Sequence, residues 1–176
     1  MRYFLKADFF ENGPTRPIQG LALAIVREDG ESRYWVFSDA HLQETNKWVK
    51  ENILTRFAGH PTTDRQNIAM ALVEFLSGDP AIEFWSYYGD YDRIITQQVF
   101  GSMMDIPRWL QTWCMSVKQY SVMLGKPDVL PEMAGYERNA YGDAKWARDC
   151  WISLNKHLTE REQEAALQTD GVSANK

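Results

Sequence analysis

The chain has 176 residues, 44% of them hydrophobic and 24% charged, and carries a net charge of −5. That length and hydrophobic share give one domain an adequate core and exclude a disordered chain. The acidic balance excludes nucleic-acid binding through bulk charge and leaves only a local groove for it. Cys114 and Cys150 lack metal or redox spacing and read as free thiols in a reducing compartment. No apolar run reaches membrane-spanning length and no signal-peptide pattern opens the chain, so a cytoplasmic protein is expected.

Residues 1–11 read as a buried first strand. Side chains alternate along a strand, so Arg2, Phe4, Lys6 and Asp8 share one face while Tyr3, Leu5, Ala7 and Phe9 share the other. A Lys and an Asp at the end of an apolar strand are either a surface ion pair or part of a site. Asn12-Gly13 and the prolines at 14 and 17 make a turn. Residues 18–27 and 33–37 are strands joined by a hairpin at Asp29-Gly30, which completes a three-stranded antiparallel meander.

Helical spacing of apolar residues predicts helices over 46–54 and 64–76, the second ended by Ser77-Gly78-Asp79-Pro80. Residues 81–88 form an aromatic strand, and a helix with Asp90 as N-cap runs to Phe100. A loop over 101–111 and a short strand over 113–115 lead to a helix over 116–124, stopped by Gly125-Lys126-Pro127. After a connection over 127–135, the last helix spans 139–157. The tail from Thr159 extends that helix or frays. The order is β-β-β-α-α-β-α-β-α-α, an α/β fold with a mixed sheet. A domain over 1–158 and a tail over 159–176 follow.

Three aspartates then stand where α/β sites lie, at strand ends and early helix turns: Asp8, Asp92 and Asp143. A carboxylate in a first helical turn is ordinary, because the helix dipole favours it. Three at one sheet edge are what a divalent-metal phosphoryl-transfer site uses, since Mg²⁺ takes hard oxygen ligands.

The chain resembles the DEDDh 3′–5′ exonucleases, in particular a small exoribonuclease branch related to RNase T and found in bacteria and phages. The resemblance covers residues 1 to 158. It is carried by Met1-Arg2-Tyr3-Phe4 with Phe9 and Glu11-Asn12-Gly13, by the run from Glu83 to Asp92, and by Phe100 to Pro107. Lys118-Gln119 and Asn139-Ala140 with Asp143-Ala144 complete it. It implies an RNase H-like sheet with the fourth and fifth strands parallel to the first, and Mg²⁺- or Mn²⁺-dependent removal of nucleotides from a 3′ end. It also implies single-stranded RNA, more than DNA, as the ligand, and a homodimer.

The family's site, mapped residue by residue, has its first two carboxylates at Lys6 and Asp8, its third at Asp92, its general-base His at Arg138 and its last carboxylate at Asp143. Phe9 matches the aromatic that packs on the terminal base; Phe10, Trp85, Tyr87 and Tyr91 are further stacking candidates, each more readily core. Three positions depart from the pattern. A Lys ammonium has no lone pair for a metal, Arg cannot act as a base near neutrality, and Asp8 is one methylene short. Lys6 and Arg138 are expected to pair with Asp8, Asp92 and Asp143 where metals would otherwise stand.

The expectation is a pseudo-exonuclease without a cofactor that acts by binding nucleic acid or a host protein, with phage host takeover or anti-defence as the setting that the family's occurrence suggests. The alternative is an exoribonuclease with an altered site, in which Asp8, Asp92 and Asp143 still hold Mg²⁺ or Mn²⁺. That alternative needs Glu11, turned inward by a bulge, or Asp90 or Glu137 to supply what is missing. His41, His60 and His157 show no ligand spacing.

Overall fold

A computed structural model describes residues 1–11, 13–40, 45–110 and 113–173, with side chains to residue 167. Asn12 of the first turn, His41, and Gln111 at the end of the loop expected over 101–111 lie outside the described residues. The meander forms as the sequence requires: β1 (Arg2–Phe10), β2 (Gln19–Arg27) and β3 (Ser32–Phe37) pair antiparallel in that order. The Asp29-Gly30 hairpin closes through Gly30, at φ +100°, whose N–H donates to Arg27. There a residue without Cβ takes a left-handed conformation freely.

Helix α1 (Lys47–Asn52) and a 3₁₀ turn at Leu54–Phe57 lead to β4 (Thr62–Thr63), two residues parallel to β3 that the sequence pattern does not announce. Helix α2 (Arg65–Leu76) starts on Asp64, whose side chain accepts the Asn67 N–H at 2.9 Å. Strand β5 (Glu83–Ser86) runs parallel to β1 and leads into α3 (Gly89–Gln98). Strand β6 (Met115–Ser116) pairs parallel to β5 and leads into α4 (Val117–Met123). Helix α5 (Ala140–Ser173) closes the chain. The sheet order is β4-β3-β2-β1-β5-β6, a mixed six-stranded sheet flanked by helices, as the α/β reading required.

Each face of the sheet carries its own core. Tyr3, Leu5, Leu23 and Ile25 pack with Ile68, Leu72 and Ile95 on one side; Phe4, Ala24 and Val26 pack with α5 on the other. Strand β2 is buried on both faces, which is why it reads as a continuous apolar run. Helix α5 presents Ala140, Ala144, Ala147, Trp151 and Leu154, at alternating steps of four and three, to the small residues of β2. From Thr159 to Leu167 every α5 residue is exposed.

Two local readings are corrected. Asp90 does not cap α3: the helix begins at Gly89, and Asp90 sits exposed in its first turn. Phe10 is not a stacking platform: it is 4% exposed and belongs to the core against α3. A bulge does occur between Asp8 and Phe9, but it leaves Glu11 exposed, at the edge of reach of the Tyr91 hydroxyl.

Candidate functional site

The parallel ladder between β1 and β5 ends at Phe4 opposite Trp85. Beyond it the strands part, and the first turn of α3 fills the gap. Asp92 enters there, 1% exposed, and takes the hydrogen bonds that the ladder no longer makes. Its Oδ1 accepts the Ala7 N–H at 2.9 Å and the Lys6 ammonium at 3.4 Å. Its Oδ2 accepts the Ser86 hydroxyl from the buried end of β5. A carboxylate so buried requires paired donors, and all three come from the neighbouring strands β1 and β5.

Asp8 lies one step further along β1, on the α5 face. Its Oδ2 accepts the N–H of Ala140, the first residue of α5, at 3.1 Å. Burial pushes its carboxyl up to about 6; the Ala140 N–H and the Lys6 charge pull the other way, and Asp143 adds to the rise. Asp143, in the first turn of α5, is likewise raised, chiefly by burial, with Lys6, Arg56 and Arg138 opposing. The loop before α5 is held tight by Gly142: a Cβ there would collide with the backbone of Glu137.

The resemblance places five positions together, and the fold brings Lys6, Asp8, Asp92 and Asp143 into one electrostatic neighbourhood. Lys6 pairs with Asp92 and not with Asp8. Arg138 lies beside Asp143 in the same wall, but its guanidinium makes no hydrogen bond or ion pair with a described residue. The expected pairing is therefore met by Lys6 alone. Arg138 is exposed because it precedes the helix in a surface loop. Glu137 is also exposed and accepts from Asn139 at 3.1 Å.

Phe9 and Tyr91 stack on one another, ring centroids 4.8 Å apart. Three contributors were not legible beforehand. Ser86 is buried, and only the strand's end-point reveals its task. Arg56 comes from the 3₁₀ turn before β4 and lines the same wall as Arg138 and Asp143. Tyr34 of β3 has a buried hydroxyl that meets no hydrogen-bond partner among the described residues, and it feels the Asp8 charge. His60 packs edge-on to Tyr34 at 5.2 Å; His157 lies in α5.

A 3′–5′ exoribonuclease of Mycobacterium tuberculosis, from strains H37Rv and CDC 1551 / Oshkosh alike, is 30% identical to this chain over 136 residues. The match covers 74% of this chain and 80% of the mycobacterial protein. The chain belongs to this exoribonuclease family. No family model matches it.

The donors present oppose a divalent-metal site of the kind the resemblance implies. Both oxygens of Asp92 are occupied by protein donors, and Asp8 is turned to the α5 N-terminus. The Lys6 ammonium on Asp92 has donors only. Among the described residues no group of three His, Cys, Asp or Glu is placed to hold a metal ion. The side chains present do not fit a pair of dications. Among the described residues, no helix is long and apolar enough to cross a membrane.

Proposed function

We propose that this member of the exoribonuclease family is a DEDDh-type pseudo-exonuclease that binds single-stranded RNA and does not cut it. The observation that carries the reading is the Lys6 ammonium on Asp92: a fixed cation, held at 3.4 Å, where the resemblance calls for a metal-bridging carboxylate. Phosphoryl transfer of that class rests on metal-held water and on a base of suitable pKa. Arg138 keeps its proton at any working pH and supplies no such base. The exposed Tyr91 ring, stacked on Phe9, suits a terminal base, because every base offers a flat face to an aromatic ring. RNA as the ligand is supported by the activity for which the mycobacterial relative is named.

The test is a fluorescent RNA with a single-stranded 3′ end, incubated with the chain in Mg²⁺, in Mn²⁺ and in EDTA. Binding is expected in all three, with no shortening of the RNA. Its affinity should fall with salt at about −0.7 in log–log slope per phosphate contact. Tyr91→Ala should weaken it by about 5- to 100-fold, the range of one lost base stack. RNA trimmed from its 3′ end and protected by EDTA would sink the pseudoenzyme reading. Absence of RNA binding, with a protein retained instead, would sink the RNA reading.

A further inference from the structure

The sheet edge at which β1 starts, opposite the edge that holds Asp92, carries a surface of its own. Helix α2 ends there beside the β2–β3 hairpin. Glu74, Phe75 and Ser77 face Arg27, Glu31 and Arg33 across a polar groove of about 320 Å³. On the other flank of the same turn lies a mainly apolar slot of about 360 Å³, made by Val73, Leu76 and Gly78 with Trp109 from the loop after α3. Ser77 lines both and joins them. Trp109 is 53% exposed, and Met70, one turn back from Val73 on the same helix face, is 56% exposed. Large apolar side chains left open around a slot call for a cover. Nothing lies within 4 Å of where a Gly78 Cβ would stand, so another backbone has open access to the helix end.

The charges of this surface do not balance. Arg27 is spent on Asp29 and Glu31, at 2.7 and 2.6 Å. Arg33 is spent on Glu31 at 3.0 Å, with its guanidinium over the Phe75 ring at 4.6 Å. Asp79 accepts the Tyr3 hydroxyl. Asp29, Glu31, Glu74 and Asp79 therefore stand against two arginines, an excess of two negative charges. Glu74 is the acid left uncompensated: it is exposed, and its carboxylate makes no hydrogen bond or ion pair with a described residue. The last turn of α2 holds no basic residue, so the negative end of the helix dipole also lacks a cation. Arg108, next to Trp109, is exposed but lines neither the groove nor the slot.

An apolar slot beside an unpaired carboxylate is complementary to a peptide that carries an apolar anchor and a cation. We propose that the end of α2 is a docking site for a basic segment of a partner protein, with an aliphatic or aromatic anchor in the Val73–Leu76–Trp109 slot and a Lys or Arg on Glu74. Charge selects this occupant. A nucleic acid would bring phosphates to an acidic surface, and a second copy of the chain would bring a net charge of −5 to it. Trp is among the residue types that dominate such contacts, and Trp109 stands at the rim where an anchor would enter. None of the residues lining this surface belongs to the site around Asp92, so the proposal does not rest on the reading of the chain as an RNA binder. RNA at one edge and a protein at the other would occupy the chain together.

The test is fluorescence anisotropy of labelled alanine-based heptapeptides titrated with the full chain. Each peptide holds a leucine and an arginine, at every separation that its length allows, and a second set has glutamate in place of the arginine. An arginine peptide is expected to bind saturably and about 10-fold tighter than its glutamate counterpart, because attraction is exchanged for repulsion. Its affinity should fall as salt rises. Glu74→Gln should remove the preference, and Glu74→Lys should turn it toward the glutamate peptide, a reversal that loss of fold does not produce. Trp109→Ala should weaken the arginine peptide by about 10-fold or more. The proposal is overturned if no arginine peptide binds saturably, if the two sets bind equally, or if Glu74→Gln changes nothing. It is equally overturned if single-stranded RNA displaces the peptide, or if the chain alone self-associates and Trp109→Ala abolishes it, which would give the slot to a second copy. Failure of the chain to bind RNA would sink the RNA reading and leaves this docking site to be judged by the peptides alone.

Discussion

A buried carboxylate sets the terms at residue scale. Asp92 is closed off from solvent and satisfied by Ala7, Ser86 and Lys6, so the ammonium neutralises a charge that would otherwise be costly. Asp8 is the neighbour left only partly compensated. Its carboxyl sits at about 6 in the folded chain, above its ordinary value, so the folded state holds its proton more tightly than the unfolded one. A raised acid stabilises the fold below its ordinary range, and that contribution is lost as pH climbs from about 4 through about 6. Asp8→Asn keeps an acceptor for the Ala140 N–H and removes the titration. Its stability relative to the native chain should therefore rise by about 2 kcal/mol across that window, read by urea denaturation at a series of pH values. A constant difference would show that Asp8 does not ionise at a cost.

At the scale of elements, α5 divides at its own surface. Its first part lays Ala140, Ala144, Ala147, Trp151 and Leu154 on the sheet, and Arg2 covers the Trp151 ring at 4.4 Å. Its second part, from Thr159, is exposed along its described side chains. Removing residues 159–176 should therefore cost less than about 1 kcal/mol, whereas Trp151→Ala should cost about 3–5 kcal/mol, both by chemical denaturation. A large loss on truncation would place the end of the folded unit beyond Thr159. The elements themselves were largely legible: hairpin chemistry at Asp29-Gly30 and apolar period in α2 left little choice. The two-residue β4 was not, because it is a neighbour's pairing rather than a pattern of its own. Asp90 was misread because acidic residues suit both an N-cap and a first turn, and only the backbone of Tyr88–Gly89 decides between them.

Across the whole molecule, the sheet order brings the ends of β1 and β5 and the starts of α3 and α5 to one edge, and that edge is where the chemistry-bearing residues meet. Residue types and their order in the chain gathered Asp8, Asp92 and Asp143, and the family resemblance added Lys6. They could not show which cation meets which acid: Lys6 reaches Asp92, whereas Arg138, on the surface, pairs with no described residue. Nor could they show Arg56, which arrives from a connection with no periodic signal. Such pairings depend on where β1 and β5 part, a property of the assembled sheet.

The central claim is that Lys6 and Arg138, with the shortened Asp8, stand where an exonuclease would carry its metal and base. Its most direct test is a nuclease assay comparing the native chain with a Lys6→Asp, Asp8→Glu, Arg138→His variant on a 3′-overhang RNA and a single-stranded DNA. The account predicts 3′-end trimming by the variant in Mg²⁺ or Mn²⁺, abolished by EDTA, with the native chain inert. A rise in the variant's melting temperature with metal should accompany it, because the ion binds the native state. Trimming by the native chain, blocked by EDTA, would contradict it.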